Sequence, residues 1–207
     1  YGKTPEQEEK IMSFKDTRTA ENLMKSFAGE CQARMRYIYS AKTAKKAGFE
    51  QISNIFIETG DNEKEHAKLF FKHLQKQGLE GEVINITASY PVGWSPEDTL
   101  SNLKYAAEGE KEEWTELYPF FAEIAEEEGY KDIASTFRLV AKVEKSHELR
   151  FRKLYDNVKD LKVFKKDETY FWKCLNCGYI HEGLEAPKLC PCCLHPQAYF
   201  EIFKETY

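Results

Sequence analysis

Two Glu-x-x-His pairs, Glu63 with His66 and Glu144 with His147, constrain this chain more than any other feature of its 207 residues. Each pair stands in the middle of an apolar helical stripe. The second predicted helix, about residues 49–77, aligns Ile52, Phe56, Thr59, Glu63, His66, Phe70 and Leu74 on one face. The fourth, roughly 130–159, aligns Ile133, Phe137, Val140, Glu144, His147, Phe151 and Leu154. The first, from near Thr19 to a stop at Gly48, presents Leu23, Phe27, Glu30, Arg34, Tyr37 and Ala41. The third, opened by Ser95-Pro96-Glu97-Asp98 with Pro96 at the first helical position, presents Leu103, Ala106, Glu110, Glu113, Leu117 and Phe120. Burying an ionised carboxylate without a partner costs several kcal/mol or more. Five of them on inner faces require compensating positive charge. Two divalent cations supply it and accept both oxygen and imidazole ligands.

The order of the helices supports a shared site. Gly48 and Gly129 mark short turns, whereas residues 79–95, with two glycines and Pro91, form a long connection after the stop at Gly78. A long crossover between the second and third helices is what a ferritin-like four-helix bundle requires. Glu30 precedes Glu63 by 33 positions and Glu110 precedes Glu144 by 34, so two hairpins each deliver a Glu and then a Glu-x-x-His. Pro119 interrupts the third helix, frees the carbonyl of Thr115 and predicts a kink. The fold expected is mainly α: a polar, flexible arm over 1–18, the bundle over 19–160, and a small tail domain over 161–207.

The tail holds five of the six cysteines between Cys174 and Cys193. Cys174-x-x-Cys177 and Cys190-x-x-Cys193 are paired knuckles that aim four thiolates at one metal. Cysteines alone leave zinc and iron open, and Cys192 beside Cys193 leaves some ambiguity of register; Cys190 with Cys193 preserves the spacing. Clustering after a cysteine-poor body reads as a metal site in a reducing compartment. Cys31 faces away from the inner stripe and is expected to be a small buried hydrophobe. His73, His181 and His195 read as surface or structural residues. Tyr37 and Tyr118, on or beside the stripes, are either plain core or hydroxyl donors to metal-binding carboxylates.

Phe27-Ala28-Gly29-Glu30, Glu63-Lys64-Glu65-His66-Ala67, Gly109-Glu110-Lys111-Glu112-Glu113 and Glu144-Lys145-Ser146-His147 together resemble the rubrerythrin family. The likeness runs from about Thr19 onward, and the second helix-three carboxylate, Glu113, separates that family from storage ferritins. The resemblance implies two irons held by Glu30, Glu63, Glu110, Glu113, Glu144 and His147, with His66 an alternative ligand reached when the site is reduced. It also implies a third, rubredoxin-like iron on Cys174, Cys177, Cys190 and Cys193, amid Tyr170, Trp172, Tyr179 and Phe200. It favours the donor role for Tyr37 and Tyr118, and with Glu113 and His66 these form the catalytic set.

The activity expected is reduction of hydrogen peroxide to water, fed by an external electron donor through the tail iron. An oxygen-using, iron-storing relative would need no such tail; an electron carrier or zinc-stabilised interaction module would need no inner carboxylates. The net charge of −5 argues against nucleic acid or an anionic membrane as partner. With no long apolar run, a cytoplasmic location is expected. The resemblance further implies a head-to-tail homodimer. Helix four runs about fifteen residues past Glu144, which carries the tail roughly 22 Å from the bundle site.

Overall fold

In the computed structural model, residues 13–206 are described. Helices α1 (Arg18–Lys46) and α2 (Glu50–Lys76) form one hairpin. Helices α3 (Thr99–Glu112), α4 (Tyr118–Glu127) and α5 (Lys131–Lys159) form the second. The long stretch between α2 and α3 crosses over without regular structure. The part of the expected flexible arm over 1–12 lies outside the described residues. Residues 14–16 form a 3-10 turn, and Phe14 meets Tyr130 edge-on with ring centroids 4.8 Å apart.

Both hairpins close through the same three-residue turn. Gly48 and Gly129 take φ of 81° and 89°, a left-handed conformation that glycine enters without steric cost. The next amide returns to the helix behind it, Phe49 N–H to Ala44 O at 2.9 Å and Tyr130 N–H to Ala125 O at 2.7 Å.

Two departures occur along the third helix. It starts at Thr99, three residues after Pro96. The Asp98 side chain accepts from Leu100 N–H at 2.9 Å, and Asn102 clamps the Ser95 backbone from both sides, so Pro96 stays in the preceding loop. Near Pro119 the chain inserts a π-helical turn over Glu113–Leu117 before α4 resumes with Pro119 in its first turn. The π turn widens the ladder by one residue where proline has no N–H to give. Its consequence is a change of phase. Leu117 and Phe120, expected inside, are 37% and 56% exposed, while Tyr118 and Phe121 turn inward.

The core has two aromatic layers. Tyr37, Phe56 and Phe151 pack with ring centroids 5.1–6.0 Å apart at one level. Tyr118, Phe70 and Phe137 pack 5.1–5.9 Å apart at the other.

The tail is a three-stranded antiparallel sheet of β1 (Lys165–Cys174), β2 (Ile180–Glu185) and β3 (Phe200–Ile202), with β1 central. Trp172, Phe200, Ala186 and two cysteines are its buried centre. It joins the bundle at the α1–α2 turn, where Phe164 stacks on Phe49 at 6.0 Å.

Candidate metal centres

Between the two aromatic layers, four helices bring six ionisable side chains together, all buried: Glu30, Glu63, His66, Glu110, Glu144 and His147. Their donor atoms fall into two overlapping groups, each within 4.8 Å throughout. One comprises Glu30, Glu63, His66 and Glu144; the other comprises Glu63, Glu110, Glu144 and His147. Glu63 and Glu144 belong to both, and each divides its oxygens between the two sides. Glu63 Oε2 lies 2.9 Å from His66 Nδ1 while its Oε1 lies 3.3 Å from His147 Nδ1. Glu144 Oε1 and Oε2 lie 2.8 Å from His66 Nδ1 and His147 Nδ1 respectively. That is the arrangement of two bridging carboxylates between two cation positions.

Among the described residues, eight buried atoms of these six side chains find no hydrogen-bond partner: one oxygen each of Glu30 and Glu110, both oxygens of Glu63 and Glu144, and Nδ1 of both histidines. An unsatisfied buried polar atom costs about 1–3 kcal/mol, and more when charged. All eight converge, so the donor set fits metal ions. Without metal the charges are frustrated. Burial, followed by repulsion from neighbouring carboxylates, pushes Glu30, Glu110 and Glu113 well above the usual carboxylate range. Burial opposes charge on the histidines, but the carboxylates around them outweigh it and raise His66 to about 10 and His147 to about 12.

Glu113 stands outside both groups, half-buried in the π turn, with Arg36 easing its charge. The tyrosines cross between hairpins. Tyr37 on α1 donates its hydroxyl to Glu110 on α3, and Tyr118 on α4 donates to Glu30 on α1. Sequence reasoning missed Asn62, whose Oδ1 lies 3.2 Å from His147 Nε2 and orients that ring with Nδ1 toward the cluster. The matching position before Glu144 is Val143, which has no polar side-chain atom to offer His66. A lone asparagine beside a glutamate gives no pattern by which it could have been found.

In the tail, Cys174, Cys177, Cys190 and Cys193 bring four sulfurs within 4.8 Å of one another. Cys192 is exposed and lies outside this group, so the sulfurs gathered are those of Cys190 and Cys193. The knuckles match bond for bond: Cys174 N–H meets Tyr179 O and Cys190 N–H meets His195 O, both at 2.8 Å. The residue after each second cysteine is left-handed, Gly178 at φ 79° and Leu194 at φ 59°. The His195 amide, donating to Cys193, lowers that thiol to about 6. Cys31 faces away from the cluster but is exposed rather than buried, because the outer side of α1 is open there. His73 bonds Thr136 at 2.8 Å, and His195 packs on Tyr199 at 4.6 Å.

Comparisons with known proteins agree with this geometry. The rubrerythrin family profile matches residues 21–155, and that of the rubrerythrin rubredoxin-like domain matches 172–201. A rubrerythrin of Clostridium perfringens is 63% identical over 95% of this chain and all of its own length. A structure described as the fully reduced, all-ferrous state of nigerythrin is 30% identical, with TM-score 0.61 over 91% of this chain and 90% of that one. The bacterioferritin of Desulfovibrio desulfuricans, described as having a diiron site, shares the fold at 18% identity, with TM-score 0.62 over 70% of this chain and 81% of its own.

Proposed function

The chain belongs to the rubrerythrin family, and from that premise we propose that it reduces hydrogen peroxide to water at the bundle site, using electrons relayed through the tail. Each turnover takes one peroxide, two protons and two electrons to two waters. The observation that carries this reading is the pair of donor groups sharing Glu63 and Glu144, in one chain with a four-cysteine knuckle. When bound, paired iron supplies two electrons and Lewis acidity for O–O cleavage, and the tail iron supplies one-electron transfer. The all-ferrous nigerythrin supports iron as the metal.

The residues divide the work. Glu63 and Glu144 would be shared by two metal ions, with Glu30 and His66 holding one and Glu110 and His147 the other. Tyr37 and Tyr118 orient the two terminal carboxylates through their hydroxyls. Glu113 and His66 are the pair whose roles would change with redox state. Glu113 would serve the oxidised site, and His66, with Nδ1 facing Glu63 and Glu144 and no counterpart of Asn62 to hold its ring, would serve the reduced one. His66→Ala should still load two ferric ions yet react poorly with peroxide once reduced; unchanged turnover would reject this exchange.

The tail meets the bundle beside Glu50, thirteen positions and about 20 Å along α2 from Glu63. That distance supports a head-to-tail homodimer in which each tail serves the partner's bundle. Mixing subunits lacking the bundle site (Glu63→Ala with Glu144→Ala) with subunits lacking the tail site (Cys174→Ala with Cys177→Ala) should recover part of the activity. No recovery in verified, loaded mixed dimers would reject it. Cysteines gathered into a four-sulfur site rather than disulfides support a reducing, cytoplasmic setting, and no helix among the described residues is long and apolar enough to cross a membrane.

The deciding experiment bleaches the iron–thiolate colour of the holoprotein with reductant and compares its return under peroxide and under air. Peroxide should be much faster. Return as fast in air would favour an oxidase.

A further inference from the structure

Two residues at the bundle site, Glu113 and Tyr118, also line a cavity of about 310 Å³. It lies between the outer side of α1, the π turn with α4, and residues 87–91 of the crossover. We propose that this cavity is the route by which hydroperoxide enters the site, and that Gly29 and Tyr90 set its width so that small hydroperoxides are preferred. The proposal rests on the peroxidase reading above and adds to it a path and a selectivity.

The aromatic layers close the bundle on both sides of the six clustered residues, and all six are buried. Glu113, the one carboxylate of the predicted set that is only half-buried, stands in the cavity wall. The wall is open where side chains are missing. A Cβ on Gly29 would rest 3.7 Å from the Tyr90 ring, and one on Gly109 would rest 3.8 Å from Arg36 Nη2, so both positions have room that glycine leaves free. Tyr90 is held across the opening by its hydroxyl, which donates to Lys25 O at 2.9 Å.

The lining has two characters. Gln32, Arg36 and Glu112 offer hydrogen bonds to a small polar molecule. Leu117 and Phe120, left outside the core by the change of phase at the π turn, add apolar surface to the lining. Such a passage accepts hydrogen peroxide, and the close approach of the Tyr90 ring to Gly29 is where an added alkyl group meets the wall.

The test uses the iron-loaded, full-length protein and two measurements. One is the association rate of azide with the oxidised bundle site, followed by its absorption. The other is the ratio of rates at which the reduced protein reacts with hydrogen peroxide and with tert-butyl hydroperoxide. Tyr90→Ala should raise the tert-butyl rate about tenfold relative to hydrogen peroxide, the order of discrimination that a close-fitting wall gives per methylene group. Gly29→Val should slow azide and tert-butyl hydroperoxide by a similar factor. Ala88→Trp, on the crossover side of the cavity, provides a second plug that does not alter a helix. Reduction of the tail iron by dithionite should be the same in all variants. Wild-type azide rates and hydroperoxide ratios in Tyr90→Ala and in a folded plug variant would overturn the route. If the wild type ignores peroxide while the azide rates still follow the plugs, the passage stands and the peroxidase reading falls.

Discussion

The α1–α2 hairpin and the α3–α5 hairpin are the same device built twice, and they differ by one residue. From Glu30 to the end of α1 at Lys46 is sixteen positions, and from Glu110 to the end of α4 at Glu127 is seventeen. The turns that follow are equal, and so are the thirteen positions from Glu50 to Glu63 and from Lys131 to Glu144. The extra residue therefore lies in the third helix, where the π turn is. The same residue separates the tyrosines: Tyr37 follows Glu30 by seven positions and Tyr118 follows Glu110 by eight, yet each reaches the terminal carboxylate of the other hairpin. What the difference teaches is that the site keeps its two-fold geometry while one half gains Glu113 on a local bulge.

Lengthening the bulge should break the comparison most severely. The π turn absorbs the one residue by which the hairpins differ, so an alanine inserted after Thr115 would turn Tyr118 and Phe121 off the core. With about 1.5–3 kcal/mol at stake for each large apolar side chain exposed, the loss should be about 3–6 kcal/mol. Thermal unfolding measures it; an insertion variant with wild-type stability would mean that the π turn does not set the phase.

Removing both bridges tests whether the halves share one site. Glu63→Ala with Glu144→Ala should reduce metal from three ions per chain to one, leaving the tail and its colour intact. Retention of three ions would dismiss the bridging assignment. A smaller effect sharpens the symmetry. Tyr37→Phe and Tyr118→Phe each remove one donor to a buried carboxylate and should each destabilise the loaded bundle by about 1–3 kcal/mol. Markedly unequal losses, read from the unfolding midpoints, would show that the halves are equivalent in shape but not in energy.

The smallest effect carries the comparison into the tail. Leu194 occupies the left-handed position that Gly178 fills in the other knuckle. Relieving its strain, about 1–2 kcal/mol, is partly offset by the greater freedom of glycine in the unfolded chain. Leu194→Gly should therefore stabilise the tail by about 0.5–1 kcal/mol, seen as slower loss of the tail metal to a chelator. Faster loss would show that the leucine side chain contributes more than its backbone costs.

Much of this was legible because burial and chemistry coincide. Ionisable groups at the centre of apolar stripes place Glu30, Glu63, Glu110, Glu144 and both histidines on inner faces, and the spacing of the cysteines names the four sulfurs. The third helix was harder. Its stripe was extended at constant period through Pro119, which put Leu117 and Phe120 inside; proline announces an interruption, but not whether the helix bends or widens. Pro96 likewise matches a helix start, yet the cap is decided by Asp98 and by Asn102 folding back on Ser95, contacts that no local pattern ranks. Asn62 is a tertiary partner of His147 and leaves no trace in spacing.

The π turn has a further consequence for how the molecule moves. Because Pro119 has no N–H to donate, the backbone of the turn between Glu113 and Tyr118 has one ladder bond fewer than the unbroken α1 that faces it across the pseudo-symmetry axis. Local opening is thereby concentrated in one half of the bundle, beside Glu113, while the other half stays rigid. Amide hydrogens in that turn should exchange with solvent well before those of Gly29 to Tyr37, so the protein carries a soft spot beside the one carboxylate that stands apart from the cluster.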